Sequence, residues 1–215
     1  MDNCVFYNLK GEKISREQFV KLYSEIYYYL NDYEKEAEID RIYQRRTSIS
    51  GDDLIRFLKW KVGDKNTDYN DLKVIITQYG SAIDAEKIGS LANRIDDLWK
   101  NKCTKELYQK IIDEGINNVG AVYTLAMISI ITRGREPIYD KFAEVALDAI
   151  MIGNHSFRHF MKYKELPDKT DTDAVLKRYE EYKWKLKTVF DEKWQVDKYG
   201  RDVDRALWTY GHLFR

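Results

Sequence analysis

A short turn and an aspartate near the middle of the chain have residue types and a spacing that suit anion binding and acid–base chemistry. The turn is Gly115-Ile-Asn-Asn-Val-Gly120, and the most apolar segment of the chain follows it. Backbone amides at the start of a helix, together with the helix dipole, attract anions such as phosphate. Asp140 lies twenty residues beyond Gly120 and shortly after Pro137. We therefore expect an anion grip at one end of a buried helix and a positioned carboxylate at the other.

Two helices must flank the turn if it is to hold this geometry. Residues 105–114 have a helical pattern, and Gly115 follows in the position where a left-handed glycine ends many helices. Asn118 is expected to adopt the left-handed conformation that glycine would otherwise supply. A plain helical hairpin that packs without a ligand has the same pattern and remains an alternative.

The rest of the chain also favours helices, so the expected fold class is all-α. Only two prolines and eleven glycines interrupt the chain. Ser15 and Gln18 have the spacing of a capping box. Apolar residues recur at helical spacing in further segments, namely 15–32, 33–46, 54–60, 85–101, 138–152, 173–193 and 201–215. Asp140 is expected in the first turn of the helix that begins after Pro137, with Gly153 at its end.

Two segments do not have a helical pattern. Residues 1–14 are expected to form a short extended arm. Residues 72–79 are compatible with a strand or with the start of a buried helix, since the run is too short for periodicity to decide. No internal repeat is apparent.

Composition and charge limit the classes of function. The chain has 215 residues, and Lys plus Arg and Asp plus Glu both total 36, so the formal net charge is zero. Proteins that coat nucleic acid are usually basic, so any contact with DNA must depend on a local patch. Cys4 and Cys103 are isolated and the start of the chain lacks a signal-peptide layout, so we expect a cytoplasmic protein without metal or cofactor. No apolar run approaches the ~20 residues of a membrane span.

Smaller signals lie after the apolar segment. His155 and His159 are four residues apart, but a third metal ligand is lacking, so a packing or solvent-facing role is favoured. Basic residues follow the turn and form either solvated loop charges or a rim that contacts a phosphate backbone. They are Arg133, Arg135, Arg158, His159, Lys162 and Lys164.

Together the turn and the acid resemble the helix-hairpin-helix superfamily of DNA glycosylases, whose signature is a Val-Gly-bearing hairpin, a buried helix and a Pro-x-Asp motif. The matching pieces are Asn118-Val119-Gly120 and Pro137-Ile138-Tyr139-Asp140. The likeness is strongest to the 8-oxoguanine DNA glycosylase-like branch and covers roughly residues 104–150. It implies a two-lobed helical fold.

The domain organisation expected from this resemblance is a single compact unit of residues 1–215. One lobe would span about 72–152 and would contain the helix-hairpin-helix of residues 104–134 and the acid motif of residues 137–140. This lobe would pack against N-terminal helices (15–64) and C-terminal helices (171–215).

The resemblance also implies DNA as the partner, held through its backbone phosphates. The residues that would contact DNA are Gly115, Asn117, Asn118, Val119, Gly120 and Lys141. Asp140 would be the catalytic acid, which stabilises the cationic sugar as a damaged base leaves or helps to activate water. Trp208, in the last helix, is a candidate border of the pocket for the base.

Three departures from the family pattern limit the expected chemistry. The first glycine of the hairpin is Asn118 here, and the acid motif has one extra residue before Asp140. Val122 occupies the position of the lysine nucleophile of bifunctional members, and valine cannot form a Schiff base, so no AP-lyase activity is expected. The leading hypothesis is a monofunctional DNA glycosylase. The alternatives are a non-catalytic DNA- or protein-binding relative that keeps only the scaffold, and a helical protein whose hairpin merely packs.

Overall fold

The structure, a computed structural model, describes residues 4–45, 48–63, 72–95, 103–156 and 165–214. Within these ranges helices dominate, which confirms the predicted mostly helical fold class. The helices are α1 (Arg16–Leu30), α2 (Tyr33–Gln44), α3 (Gly51–Lys61), α4 (Ala85–Ile95), α5 (Thr104–Asp113), α6 (Ala121–Ile131), α7 (Lys141–Ile152), α8 (Thr172–Phe190), α9 (Val196–Tyr199) and α10 (Asp202–His212). Short strands in the same ranges form two antiparallel hairpins, β1 (Phe6–Tyr7) with β2 (Lys13–Ile14) and β3 (Ile75–Ile76) with β4 (Ala82–Ile83).

Local sequence signals set several helix ends where they were expected. The Ser15 hydroxyl accepts a hydrogen bond from the amide of Gln18 at 3.2 Å, and the Gln18 side chain accepts one from the Ser15 amide at 2.9 Å. This capping box begins α1. Gly115 and Gly153 follow α5 and α7 with φ of 61° and 67°, the left-handed conformation in which glycine has no Cβ penalty.

The two β-hairpins occupy the segments without a helical pattern. The first fourteen residues are not a simple extended arm, because β1 pairs with β2 there. The sequence of residues 72–79 was compatible with a strand or with the start of a helix. The structure has a strand there, because β3 pairs with β4. Each strand has only two residues, so no alternation of apolar and polar side chains could reveal it.

Each hairpin leads into a capped helix, and the two hairpin–helix segments have the same spacing. A side chain at the start of each turn, Asn8 or Thr77, accepts a backbone amide of that turn. A side chain before each helix, Ser15 or Asp84, accepts an amide of its first turn. The chain therefore contains an internal structural repeat, and the expectation of no repeat was wrong. The repeated segments are 5–22 and 74–91, and they have the same residue at five of their eighteen positions.

The first of two compact units consists of residues 1–36, 139–165 and 177–215. Within it α10 packs against α1 and α7. Aromatic rings fill its core, where Phe19 and Tyr23 each lie 5.0 Å from the ring of Tyr210 between centroids. Gly211 lets α10 reach the backbone of α7, because a Cβ at this position would overlap the carbonyl of Phe142. This contact fixes the start of α7.

The second compact unit consists of residues 37–138 and 166–176. Within it α3 packs against α4 and α6, and α5 packs against α6. Nine of the eleven residues of α6 are buried, so this is the apolar helix that the sequence indicates. Gly51 lets α3 meet α4, because a Cβ there would overlap the backbone of Gly89. The predicted lobe of residues 72–152 is divided between the two units, with the boundary at Ile138 and Tyr139.

Part of the predicted basic rim lies outside the described residues, as does one histidine of the predicted pair. These residues are Arg158, His159, Lys162 and Lys164. In the parts of the chain that the structure describes, no helix combines the length and apolar character that crossing a bilayer requires.

Candidate functional site

The turn between α5 and α6 has the backbone conformation that its sequence predicts. Asn118 has φ of 60°, in the left-handed region, where only Gly, Asn and Asp are common. Its side-chain nitrogen Nδ2 donates a hydrogen bond to the carbonyl of Ala82 in β4 at 2.6 Å. Asn118 therefore supplies the conformation of a glycine and also ties the turn to the β3–β4 hairpin.

Buried and exposed residues alternate along the turn. Ile116 and Val119 are each 3% exposed, so they anchor it to the core of the second unit. The side chain of Val119 cannot reach a ligand, and only its backbone remains as a possible contact. The other candidate contact residues of the turn are exposed, namely Gly115, Asn117, Asn118 and Gly120.

Two lysines from other elements donate hydrogen bonds to carbonyls of the turn. Lys87 Nζ in α4 lies 3.4 Å from the carbonyl oxygen of Gly115, and Lys169 Nζ lies 3.4 Å from that of Ile116. These contacts bring two positive charges to the turn in a chain of zero net charge. Sequence reasoning missed both lysines, because nothing in the local pattern indicates that they meet the turn.

The first amides of α6 take no part in the backbone hydrogen bonds of the helix. The earliest bonds run from the amides of Tyr123 and Thr124 to the carbonyl of Gly120, at 3.1 Å and 3.0 Å. Within the described residues, the amides of Ala121 and Val122 donate no hydrogen bond. Gly120 has no side chain that could cap them. Such amides are the donors that an anion accepts at a helix start.

Gly120 itself is not required by the packing or the backbone of the protein. Its φ of −87° is open to any residue. A Cβ added there would meet no heavy atom within 4 Å among the residues considered. Asparagine, aspartate and serine are better helix caps than glycine. Neither the backbone conformation nor the packing of the described residues therefore requires glycine at this exposed position.

Asp140 lies immediately before α7 and caps it. Its Oδ1 accepts a hydrogen bond from the amide of Phe142 at 2.8 Å, and the residue is half-buried. The sequence placed Asp140 in the first turn of the helix, and the structure places it one step earlier, as the N-cap. One of its two carboxylate oxygens thus has a structural role.

Tyr139, the residue before Asp140, is 1% exposed and its hydroxyl donates to Oε2 of Glu144 at 2.9 Å. Burial raises the pKa of Tyr139 well above its usual range, and the neighbouring Glu144 carboxylate raises it further. The hydroxyl therefore stays protonated at physiological pH and acts only as a hydrogen-bond donor to the carboxylate.

A column of half-exposed rings lies beside the start of α7. The ring of His212 lies between those of Phe142 and Trp208, with centroids 3.6 Å and 3.8 Å away. Lys141 Nζ lies 5.2 Å from the centroid of Phe142, and Tyr27 meets Trp208 edge-on at 5.2 Å. His212 Nδ1 lies 2.7 Å from the Trp208 carbonyl, and since a carbonyl only accepts, Nδ1 carries the proton. Trp208 and Lys141 are thus on the same side of the first unit as Asp140.

The turn and Asp140 fall in different units, and other sequence candidates have structural roles. The turn belongs to the second unit and Asp140 to the first. Arg133, expected in a basic rim, is 8% exposed and donates from Nη1 to the Arg45 carbonyl at 2.7 Å. The ring of His155 packs on Tyr7 at 4.7 Å. Among the described residues, no three His, Cys, Asp or Glu side chains are placed to share a metal ion.

Comparison of the chain with protein-family models, with curated proteins and with solved structures finds no match.

The left-handed conformation of Asn118 can be tested by its response to glycine and alanine. Asn118→Ala is expected to lower the free energy of unfolding by about 2 kcal/mol, from backbone strain and the lost bond to Ala82. Asn118→Gly loses the bond but not the conformation, so it should be more stable than the alanine variant by about 1 kcal/mol. Chemical denaturation of both variants measures this difference.

The adjacent Asn117 provides the control, because it has no positive φ and no side-chain hydrogen bond within the described residues. There the alanine variant should be at least as stable as the glycine variant. If the glycine variant were more stable than the alanine variant at both positions, the proposed geometry of the turn would be contradicted.

Proposed function

We propose that this protein binds DNA through the backbone of the 115–120 turn, which holds phosphate groups. In this proposal α5, the turn and α6 form a helix-hairpin-helix, and the chain has the two-lobed architecture of helix-hairpin-helix DNA glycosylases. The turn supplies the grip in the second unit, and Asp140 supplies a carboxylate in the first.

The observation that carries the proposal is that open space at Gly120 coincides with two backbone amides that donate no hydrogen bond among the described residues. The residue is exposed, its φ suits any side chain, and a Cβ would meet nothing nearby. The next two amides, of Ala121 and Val122, donate no hydrogen bond among the described residues. A phosphate oxygen at the start of α6 would accept from these amides and would need the space that a side chain at Gly120 would fill.

The zero net charge of the chain favours a contact with only a few phosphates of the nucleic acid. The chain has no net charge, so strong non-specific binding along a whole face is not expected. Lys87 and Lys169 place their ammonium groups at the turn, where they would add to the attraction of the amides for phosphate. We expect contact with few phosphates, and therefore a shallow dependence of affinity on salt.

The proposed chemistry is removal of a damaged base without strand cleavage. Asp140 would stabilise the positive charge on the sugar as the base leaves, or help to activate water. The column of Phe142, His212 and Trp208 would border the extruded base. Val122 has no nucleophilic atom, so the proposal contains no Schiff base and no lyase step.

A second candidate function is non-catalytic binding of DNA or protein by the same scaffold. The observation that favours it is the capping bond from the Phe142 amide to Asp140. Aspartate is among the best N-cap residues, so this structural role alone accounts for its presence before α7.

Binding can be measured by the fluorescence anisotropy of a labelled DNA duplex over a range of salt concentrations. We expect the logarithm of affinity to fall with the logarithm of salt with a slope of roughly −2 to −3, which corresponds to about three phosphates. Gly120→Asp adds a negative charge and a side chain at the grip, so affinity should fall at least tenfold, by roughly 1.4 kcal/mol or more.

Ser50→Asp is the matched control for this variant. Ser50 is also an exposed N-cap in the second unit, and aspartate keeps its capping bond while adding the same charge. It should leave affinity within about twofold of the wild type, since it leaves the space at Gly120 open and an exposed charge is screened by salt. Equal losses in both variants would show a general charge effect, and the assignment of the turn would then be wrong.

Catalysis is tested with duplexes that contain a panel of damaged bases and with Asp140→Asn. Asparagine keeps an oxygen that caps α7 but has no charge, so folding and DNA affinity should be preserved. Base release should fall by about a hundredfold or more. Asp171→Asn, at the exposed residue whose carboxylate caps the start of α8, should leave the rate unchanged. Base release that survives Asp140→Asn would contradict the proposed mechanism, and DNA binding with no base release would favour the non-catalytic candidate.

A further inference from the structure

A buried ionic cluster lies next to Asp140 and has no part in the proposed contact with DNA. Its centre is Glu144 in α7, which is 2% exposed. The Tyr139 hydroxyl donates to one carboxylate oxygen, and Lys185 Nζ lies 2.9 Å from the other. Arg178 pairs with the same carboxylate. Four ionic and polar side chains thus converge at the start of α7.

One stripe of α8 supplies the partners of this cluster. Arg178, Tyr182 and Lys185 are spaced four and three residues apart, so they share a face of the helix. The ring of Tyr182 meets that of Tyr139 edge-on, with 5.1 Å between centroids. The hydroxyl of Tyr139 is therefore fixed by its bond to Glu144, and its ring is fixed by packing on α8.

The charges of the cluster are balanced at its margin. Arg178 also pairs with Glu181 at 2.7 Å, and Lys185 with Asp148 at 2.6 Å. A buried carboxylate is tolerated only with such pairing, because desolvation otherwise costs more than the interactions return. Glu144 is thus held rigidly by oppositely charged groups.

Glu144 is bonded to both residues of the Tyr139–Asp140 pair. Its carboxylate accepts from the Tyr139 side chain, while its amide donates to the Asp140 carbonyl at 3.0 Å. We infer that Tyr139 and Glu144 are positioning residues that fix the backbone, and thereby the carboxylate, of Asp140 at the start of α7. The consequence for catalysis rests on the proposed function, whereas the positioning itself does not.

A second buried cluster in the first unit has the same chemistry around a different carboxylate, that of Glu36. Glu36 accepts from the Tyr27 hydroxyl at 2.8 Å and pairs with Arg201 at 3.1 Å and Arg205 at 3.3 Å. Tyr27→Phe therefore removes the same kind of bond as Tyr139→Phe, and both variants keep the aromatic ring. Comparison of the two variants therefore distinguishes local positioning of Asp140 from a general loss of stability.

The test is hydrogen exchange of the Phe142 amide, followed by NMR on the full chain. This amide donates to Asp140 Oδ1, so its protection reports whether the carboxylate stays in place. In Tyr139→Phe we expect its exchange to be roughly tenfold faster. In Tyr27→Phe it should stay within about twofold of the wild type, while thermal denaturation shows similar destabilisation of the two variants. Equal protection of Phe142 in both variants would overturn the inference.

Kinetics provide a second readout if the protein releases a damaged base. Tyr139→Phe should then lower the maximal rate about tenfold with an unchanged KM for DNA, as expected when an interaction made in the transition state is weakened. Tyr23→Phe, which removes a buried hydrogen bond to the Tyr7 carbonyl, should leave both constants unchanged. If the wild type releases no base, the proposed catalysis fails, but the exchange of Phe142 still decides the positioning role.

Discussion

In each compact unit, the packing of helices near the candidate site depends on a glycine that brings two backbones together. A Cβ at Gly211 would overlap the carbonyl of Phe142, and a Cβ at Gly51 would overlap the backbone of Gly89. Interiors are packed at crystal-like density, so such contacts leave no room for adjustment. In the first unit the contact sets the start of α7 against α10, which brings the ring of His212 onto Phe142.

The turn in the second unit and Asp140 in the first are held by different means. The turn is exposed, and side chains from elsewhere hold it through its backbone carbonyls and through Asn118. The carbonyl of Asp140 accepts a hydrogen bond from the backbone amide of Glu144, and the buried carboxylate of Glu144 holds the neighbouring Tyr139. A binding or catalytic group must be kept in place by a supporting layer before it meets its ligand, and both arrangements supply one.

Features that depend on nearby residues could be predicted from the sequence, and features that depend on distant contacts could not. The capping box at Ser15 and the left-handed Asn118 follow from local hydrogen bonding and backbone sterics, and both are confirmed. The lysines at the turn are 28 and 53 residues away in sequence from the carbonyls to which they donate, so no local sequence pattern predicts these contacts.

Other misses have equally physical causes. The pairing of the strands into hairpins was not predicted because each strand has only two residues. From the sequence alone, Glu144 is indistinguishable from a charged residue on the exposed face of a helix. Only the fold shows that it is surrounded by Tyr139, Arg178 and Lys185. Helical spacing tells which face a residue occupies, but not what that face meets.

The central claim is that the amides at the start of α6 hold a DNA phosphate. The most direct measurement is an NMR titration of the isotope-labelled protein with a short duplex at low salt. The account predicts that the amide signals of Gly120, Ala121 and Val122 shift most and return when salt is added. A bound duplex that leaves these three signals in place, or a titration that moves no signal at all, would contradict it.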